Sequence, residues 1–269
     1  MSVAGLLLGD SRFPAGGHAH SGGVEPAVTA GTVTGLASLE LFLRGRLRTA
    51  GLVAAGIAAT ACARAREMNC VPSAATADHG STGRHGGPGC QADTDGPADA
   101  AIGEKWTAGE SAASVRDDGF WAELDAEADA RMPAPAQRDA SRRQGRALLR
   151  AARAAWPGAP WLAALDRPHH AVVLGAAAAA AGCDPLEAAR IAAYQAAAGP
   201  VSAAVRLLAL DPMRATAVLA RLAGEIDQVA GRGAACAGGP PADLPCPSAP
   251  ALDLLAEAHI RAEVRLFES

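Results

Sequence analysis

The stretch Asp10–Glu25 concentrates the residues best suited to chemistry. It reads DSRFPAGGHAHSGGVE, with His18, His20 and Ser21 between the pairs Gly16-Gly17 and Gly22-Gly23. Glycine reaches backbone angles closed to other residues. Two imidazoles at i, i+2 in such a loop could ligate nickel or zinc. The same residues also suit a structured turn whose histidines make hydrogen bonds, so both readings stand. Cys70, His79, His85 and Cys90 form a second Cys/His tract, with gaps of eight, five and four residues. Zinc sites pair their ligands more closely, and the tract fits that pattern poorly. His169-His170 precede an apolar run, and adjacent imidazoles point apart on a helix. They read as helix-start or core residues. The nucleotide-binding signatures G-x-x-x-x-G-K-[ST] and G-x-G-x-x-G are missing from the sequence. So are the hydrolase elbow G-x-S-x-G and the zinc-protease motif H-E-x-x-H. Each places chemistry on a defined turn or helix. Their absence points away from an ordinary enzyme, and no cofactor is implied.

The elements that must position these residues follow from composition. Of 269 residues, 70 are alanine and only nine are Phe, Trp or Tyr. Alanine is the best helix former, whereas aromatics favour strands. An all-α fold is expected: a single Ala-rich helical bundle over residues 1–269 with a disordered insertion. The net charge of −4 argues against a chain built to grip nucleic-acid phosphates. Six scattered cysteines without a C-x-x-C pair give no disulfide framework. The run Leu6–Leu8 is too short for a signal peptide. Ala171–Ala181, the longest uncharged apolar run, falls short of the ~20 residues that span a membrane. A cytoplasmic protein without membrane contact is expected.

Along the chain, Ser38–Ala65 reads as helix, with Leu39, Phe42, Leu43 and Leu47 on one stripe and a break near Gly51. In residues 68–116 large apolar side chains are almost absent, with Ile102 and Trp106 the exceptions past Met68. They cannot bury enough apolar area to offset their ordering entropy, so this stretch is the expected insertion. Asp117–Arg131 is an acidic helix. After Met132-Pro133-Ala134-Pro135, Ala136–Trp156 is a basic one, with Arg138, Arg142, Arg146 and Arg150 on one face. The two suggest an antiparallel hairpin. A helix ending at Gly182 follows, then Asp184-Pro185-Leu186-Glu187 opens another. That helix is expected to stop at Gly199-Pro200, with separate helices over Val201–Leu210 and from Asp211-Pro212 to Ala230. Residues 231–249 read as a loose linker before a helix over Pro250–Phe267, which would turn Leu252, Leu255 and His259 inward.

Three segments carry a resemblance to a known family. Leu8–Glu25 resembles the opening of the urease accessory proteins called UreF, roughly D-S-x-x-P-x-G-x-[aromatic]-x-H-S-x-G-L-E. Gly199-Pro200-Val201-Ser202-Ala203-Ala204-Val205-Arg206-Leu207 resembles a second signature. Pro250–Asp253 and His259 to Arg265-Leu266-Phe267-Glu268-Ser269 resemble the C-terminal helix and tail. The match covers about 1–66 and 120–269. It implies an all-helical, typically dimeric protein that is not itself an enzyme. Such a protein bridges a UreD/UreH-type scaffold to the UreG-type GTPase, and the complex delivers nickel to the urease apoprotein. The family has been viewed as a regulator of that GTPase or as a checkpoint on metal delivery. The resemblance implies partner-contact roles for Asp10, Ser11, Pro14, Gly16, Gly17, His20, Ser21, Glu25, Gly199, Pro200, Arg206, Arg265 and Phe267. The alternative is a nickel-binding chaperone that uses His18 and His20.

Overall fold

The computed structural model describes residues 3–10, 13, 19–70, 119–262 and 265–267. Among these the chain is helical and forms no β-sheet. In order, the helices are α1 (Val3–Gly9), α2 (Val24–Thr29), α3 (Leu36–Arg46), α4 (Leu52–Cys70), α5 (Phe120–Ala130) and α6 (Pro135–Ala155). Then come α7 (Pro160–Ala164), α8 (His170–Ala180), α9 (Pro185–Leu207), α10 (Pro212–Ala234) and α11 (Pro250–Ile260). None of the described helices is long and apolar enough to cross a membrane. The expected insertion lies outside the described residues, apart from Met68–Cys70, which complete α4.

Small residues let α4 sit at the centre, against α8, α9 and α10. A Cβ at Gly175 would stand 2.1 Å from the Ala58 carbonyl oxygen, and one at Gly233 would stand 2.7 Å from Ala55 Cβ. At those two points the backbones touch with no side chain between them. One core gathers Ile57, Leu124, Leu148, Leu162 and Leu174. A second gathers Leu39, Leu43, Leu47, Val218 and Leu222. Of the predicted stripe, Leu39, Leu43 and Leu47 are buried, and Phe42 packs half-buried against the same core.

Local signals at helix ends are used as expected. Gly182 takes φ 77° after α8, with Gly182 N–H donating to Ala179 O and Cys183 N–H to Ala178 O. That pair of bonds is the left-handed stop that favours glycine. Asp184 Oδ1 accepts from Glu187 N–H at 2.8 Å, and Glu187 Oε2 accepts from Asp184 N–H at 3.1 Å. Asp211 Oδ1 caps α10 through Met213 N–H at 2.9 Å.

Five expectations need correction. The break near Gly51 is a π-helical turn, Leu47–Gly51, that joins α3 to α4 without ending either. The acidic and basic helices are not a packed hairpin, since α5 lies against α4 while α6 lies against α8. Arg142 ties them instead, bonding Asp125 Oδ2 at 2.9 Å and Asp129 Oδ2 at 2.7 Å. The helix does not stop at Gly199-Pro200: α9 runs through both to Leu207. Residues 231–249 are not loose, because α10 continues to Ala234 and Arg131 then grips the carbonyls of Ala242, Leu244 and Pro245. The last helix ends at Ile260, and the tail turns back on α2, with Leu266 exposed and Phe267 buried.

Candidate functional site

The left-handed turn Gly22-Gly23, with φ of 59° and 87°, opens α2 and places Glu25 in its first turn. Glu25 is buried, with both carboxylate oxygens committed to the far end of the chain. Oε1 accepts from Leu266 N–H at 2.7 Å and Oε2 from Phe267 N–H at 2.9 Å. A carboxylate held by two backbone N–H groups makes strong, charge-assisted bonds. His259, buried on α11, completes the clamp: Nε2 donates to Phe267 O at 3.2 Å and lies 3.4 Å from Glu25 Oε2. The carbonyl can only accept, so Nε2 carries the proton. Arg206, at the end of α9, stands 4.5 Å over the Phe267 ring, a cation–π contact.

The same turn touches the centre of α9. A Cβ on Gly22 would meet Pro200 Cγ at 2.9 Å and Arg46 Nη2 at 3.3 Å. Pro200 has no N–H, so the Ala196 carbonyl four residues earlier loses its helical donor. Arg46 Nε supplies the missing bond at 3.1 Å. This is why the helix survives its internal proline.

Of the residues implied by resemblance, the structure therefore brings Ser21, Glu25, Pro200, Arg206 and Phe267 to one place. Asp10 is exposed at the end of α1, His20 is half-buried, and Arg265 is exposed. Nothing lies within 4 Å of a Cβ at Gly199, so close packing does not explain that glycine. Ser11, Pro14, Gly16, Gly17 and His18 lie outside the described residues, and with His18 the proposed histidine pair. Among the described residues no group of three or more His, Cys, Asp or Glu side chains could hold a metal. Sequence reasoning missed Arg46 as a site residue. The signal was present: a proline inside a helix implies a carbonyl that needs another donor.

A second polar cluster joins α5, α6 and the start of α8. His169, fully buried, donates from Nε2 to Asp129 Oδ1 at 2.7 Å, and its Nδ1 faces Ser141 Oγ at 3.0 Å. Ser141 Oγ also accepts from His170 N–H at 3.3 Å. The three side-chain types are those of a nucleophilic triad, but the imidazole has no exposed surface to offer a substrate. The hydroxyl and the imidazole anchor the first turn of α8. Gly145 allows this approach, since its Cβ would stand 2.0 Å from Pro168 O. Burial raises the Asp129 carboxyl, but the bonds from His169 and Arg142 outweigh it and hold the group below its usual range.

Burial lowers the pKa of both histidines, that of His170 to about 4 with His20 adding repulsion. The unfolded chain takes up these protons near pH 6.5, before the folded one does. Stability is thus complete above that pH and declines as pH falls from 6.5 toward 4. We expect the fold to be about 1–2 kcal/mol weaker at pH 5 than at pH 7.5. Urea midpoints at the two pH values measure it, with a flatter slope in His170→Gln. An unchanged midpoint would contradict the assignment.

Similarity to known proteins is extensive. A family model described as UreF matches residues 91–223. The urease accessory protein UreF of Mycobacterium sp. (strain JLS) is 41% identical over 264 residues, which is 98% of this chain and 97% of the relative. The protein of the same name from Mycobacterium marinum is 39% identical over the same spans. That of Mycobacterium tuberculosis (strain H37Rv) is 40% identical, again over 98% and 97%.

Proposed function

Because the chain belongs to the UreF family of urease accessory proteins, we propose that it is a non-enzymatic adaptor in urease maturation. It bridges a UreD/UreH-type scaffold and a UreG-type GTPase, acts in the cytoplasm as a homodimer, and serves nickel insertion into the urease apoprotein. The observation that carries this reading is the convergence of the three signature segments on the Glu25 clamp. A family whose members share a task needs a surface built from the segments they share, and here those segments meet. The clamp also leaves apolar side chains facing solvent: Leu254 and Ile260 on α11 and Leu266 in the tail are 72%, 45% and 73% exposed. Exposed apolar groups beside aromatic and arginine anchors suit a protein interface.

Co-purification with the UreD/UreH-type and UreG-type partners, followed by size-exclusion chromatography with light scattering, tests the reading. A stable stoichiometric complex is expected. A chain that remains alone, with and without nucleotide and nickel, would refute it. Within that assay Arg206→Ala removes the cation–π contact and is expected to weaken assembly about two- to thirty-fold. Its circular dichroism should match the parent, because the guanidinium is exposed. Full assembly by the variant would remove Arg206 from the interface.

A further inference from the structure

The outer face of α6 carries its charges on one stripe. Asp139, Arg142, Arg143 and Arg146 recur at i, i+3, i+4 and i+7, while the far side of the helix buries Leu148 and Ala152. The loop between α7 and α8 runs alongside and adds Asp166 and Arg167. These six side chains line one half-open cavity of about 480 Å³, within the size range of ligand sites. All six are charged: four guanidinium groups and two carboxylates. The cavity lies apart from the Glu25 clamp, whose residues come from α2, α9, α11 and the tail.

The wall is fixed before any ligand arrives. Arg142 is bonded to Asp125 and Asp129, and its Nη1 also donates to Arg167 O at 2.8 Å. At the other end of the loop, His169 N–H donates to Asp125 Oδ1 at 2.8 Å. Between these ties Arg167 takes φ 44°, in the left-handed region that few residues with a side chain enter. Residues held there by their surroundings cluster at ligand clamps. The lining charges do not cancel one another. Among the described residues, Arg146 and Arg167 bond no acid, and Asp139 and Asp166 bond no base. An apolar ligand gains nothing from such a wall. A phosphate concentrates nearly two negative charges on one group, which Asp139 and Asp166 repel. An acidic polypeptide spreads single charges along its length, and its backbone N–H groups can donate to those two carboxylates. Each guanidinium fork matches the two oxygens of an Asp or Glu side chain.

We propose that the cavity between α6 and the α7–α8 loop docks an acidic segment of a partner protein, with its carboxylates on Arg146 and Arg167. Arg142, already balanced by its two aspartates, is the rigid wall that positions Arg167. Binding of an acidic peptide by the isolated chain does not depend on the adaptor reading, and either can fail without the other.

The test is fluorescence anisotropy of a labelled hexaglutamate peptide, titrated with the full-length protein at low and constant ionic strength. Saturable binding of one peptide per chain is expected. Arg146→Gln should raise the Kd about two- to five-fold, the factor that one exposed ion pair supplies. Arg146→Gln combined with Arg167→Gln should raise it about tenfold. Arg146 is exposed, so its variant keeps the fold and stays informative even if Arg167→Gln disturbs the loop. Arg150→Gln is the control: it removes the same charge from the same helix, one turn beyond the cavity, and should leave the Kd unchanged. Equal weakening by Arg146→Gln and Arg150→Gln would reduce the binding to net charge and overturn the site. Absence of saturable binding would also overturn it. So would displacement of the peptide by an equal concentration of inorganic pyrophosphate, which would assign the arginines to a compact phosphate anion.

Discussion

Gly175→Ala will destabilise the fold by about 3 kcal/mol or more, at the upper end of what overpacking costs. Two effects of opposite sign meet at this residue. Alanine is the better helix former by up to about 1 kcal/mol, so propensity alone predicts a gain. Against that, the new Cβ would stand 2.1 Å from Ala58 O, 2.9 Å from Ala58 C and 2.7 Å from Ala61 Cβ. Two of these are backbone atoms, which cannot rotate away. The helices α4 and α8, which pack closely along their length, must move apart. Close packing tolerates no such gap without loss. Urea denaturation reads the effect as a lowered midpoint at unchanged slope. Gly224→Ala is the control, because nothing lies within 4 Å of that Cβ, and it should stabilise slightly. A midpoint that rises in Gly175→Ala would show slack between α4 and α8.

The second large effect is expected from Glu25→Gln, and it is local. The amide keeps one oxygen acceptor but turns an NH2 group toward a backbone N–H. A charged acceptor contributes about 1.5–3 kcal/mol per hydrogen bond, and an unmatched buried donor adds a comparable penalty. The tail carries only one buried side chain among its described residues, Phe267, so it detaches before the bundle unfolds. Hydrogen exchange at Leu266 and Phe267 should therefore accelerate by about 10- to 100-fold, the factor that 1.4–2.7 kcal/mol implies. The denaturation midpoint should barely move. Assembly with the accessory partners should be lost along with the docked tail. Slow exchange retained in the variant would mean that His259 and Arg206 hold the tail without the carboxylate.

Much of the architecture was legible in the sequence, because the signals concerned are local. Alanine content declared the helical class. The Asp184-Pro185-Leu186-Glu187 cap, the Asp211-Pro212 start and the Gly182 stop act within a single turn, and each holds where it was read. The period of Leu39, Leu43 and Leu47 marked the buried face of α3 and of the turn that follows it before any neighbour was known. The family, too, is written in short motifs.

Tertiary structure decided what depends on partners distant in sequence. Pro200 looked like a helix end because a proline leaves a carbonyl unpaired. Arg46, 150 residues away from Ala196, fills that bond and lets α9 continue. Residues 231–249 looked loose because they are rich in glycine and proline, yet Arg131 binds their carbonyls from more than 110 positions away. Glu25 could be named from its motif, but its role appears only when the tail, some 240 residues later, brings two N–H groups to it. Propensity and periodicity describe a chain against its nearest neighbours. A buried donor or acceptor must be satisfied wherever its partner lies, and only the folded molecule brings that partner into reach.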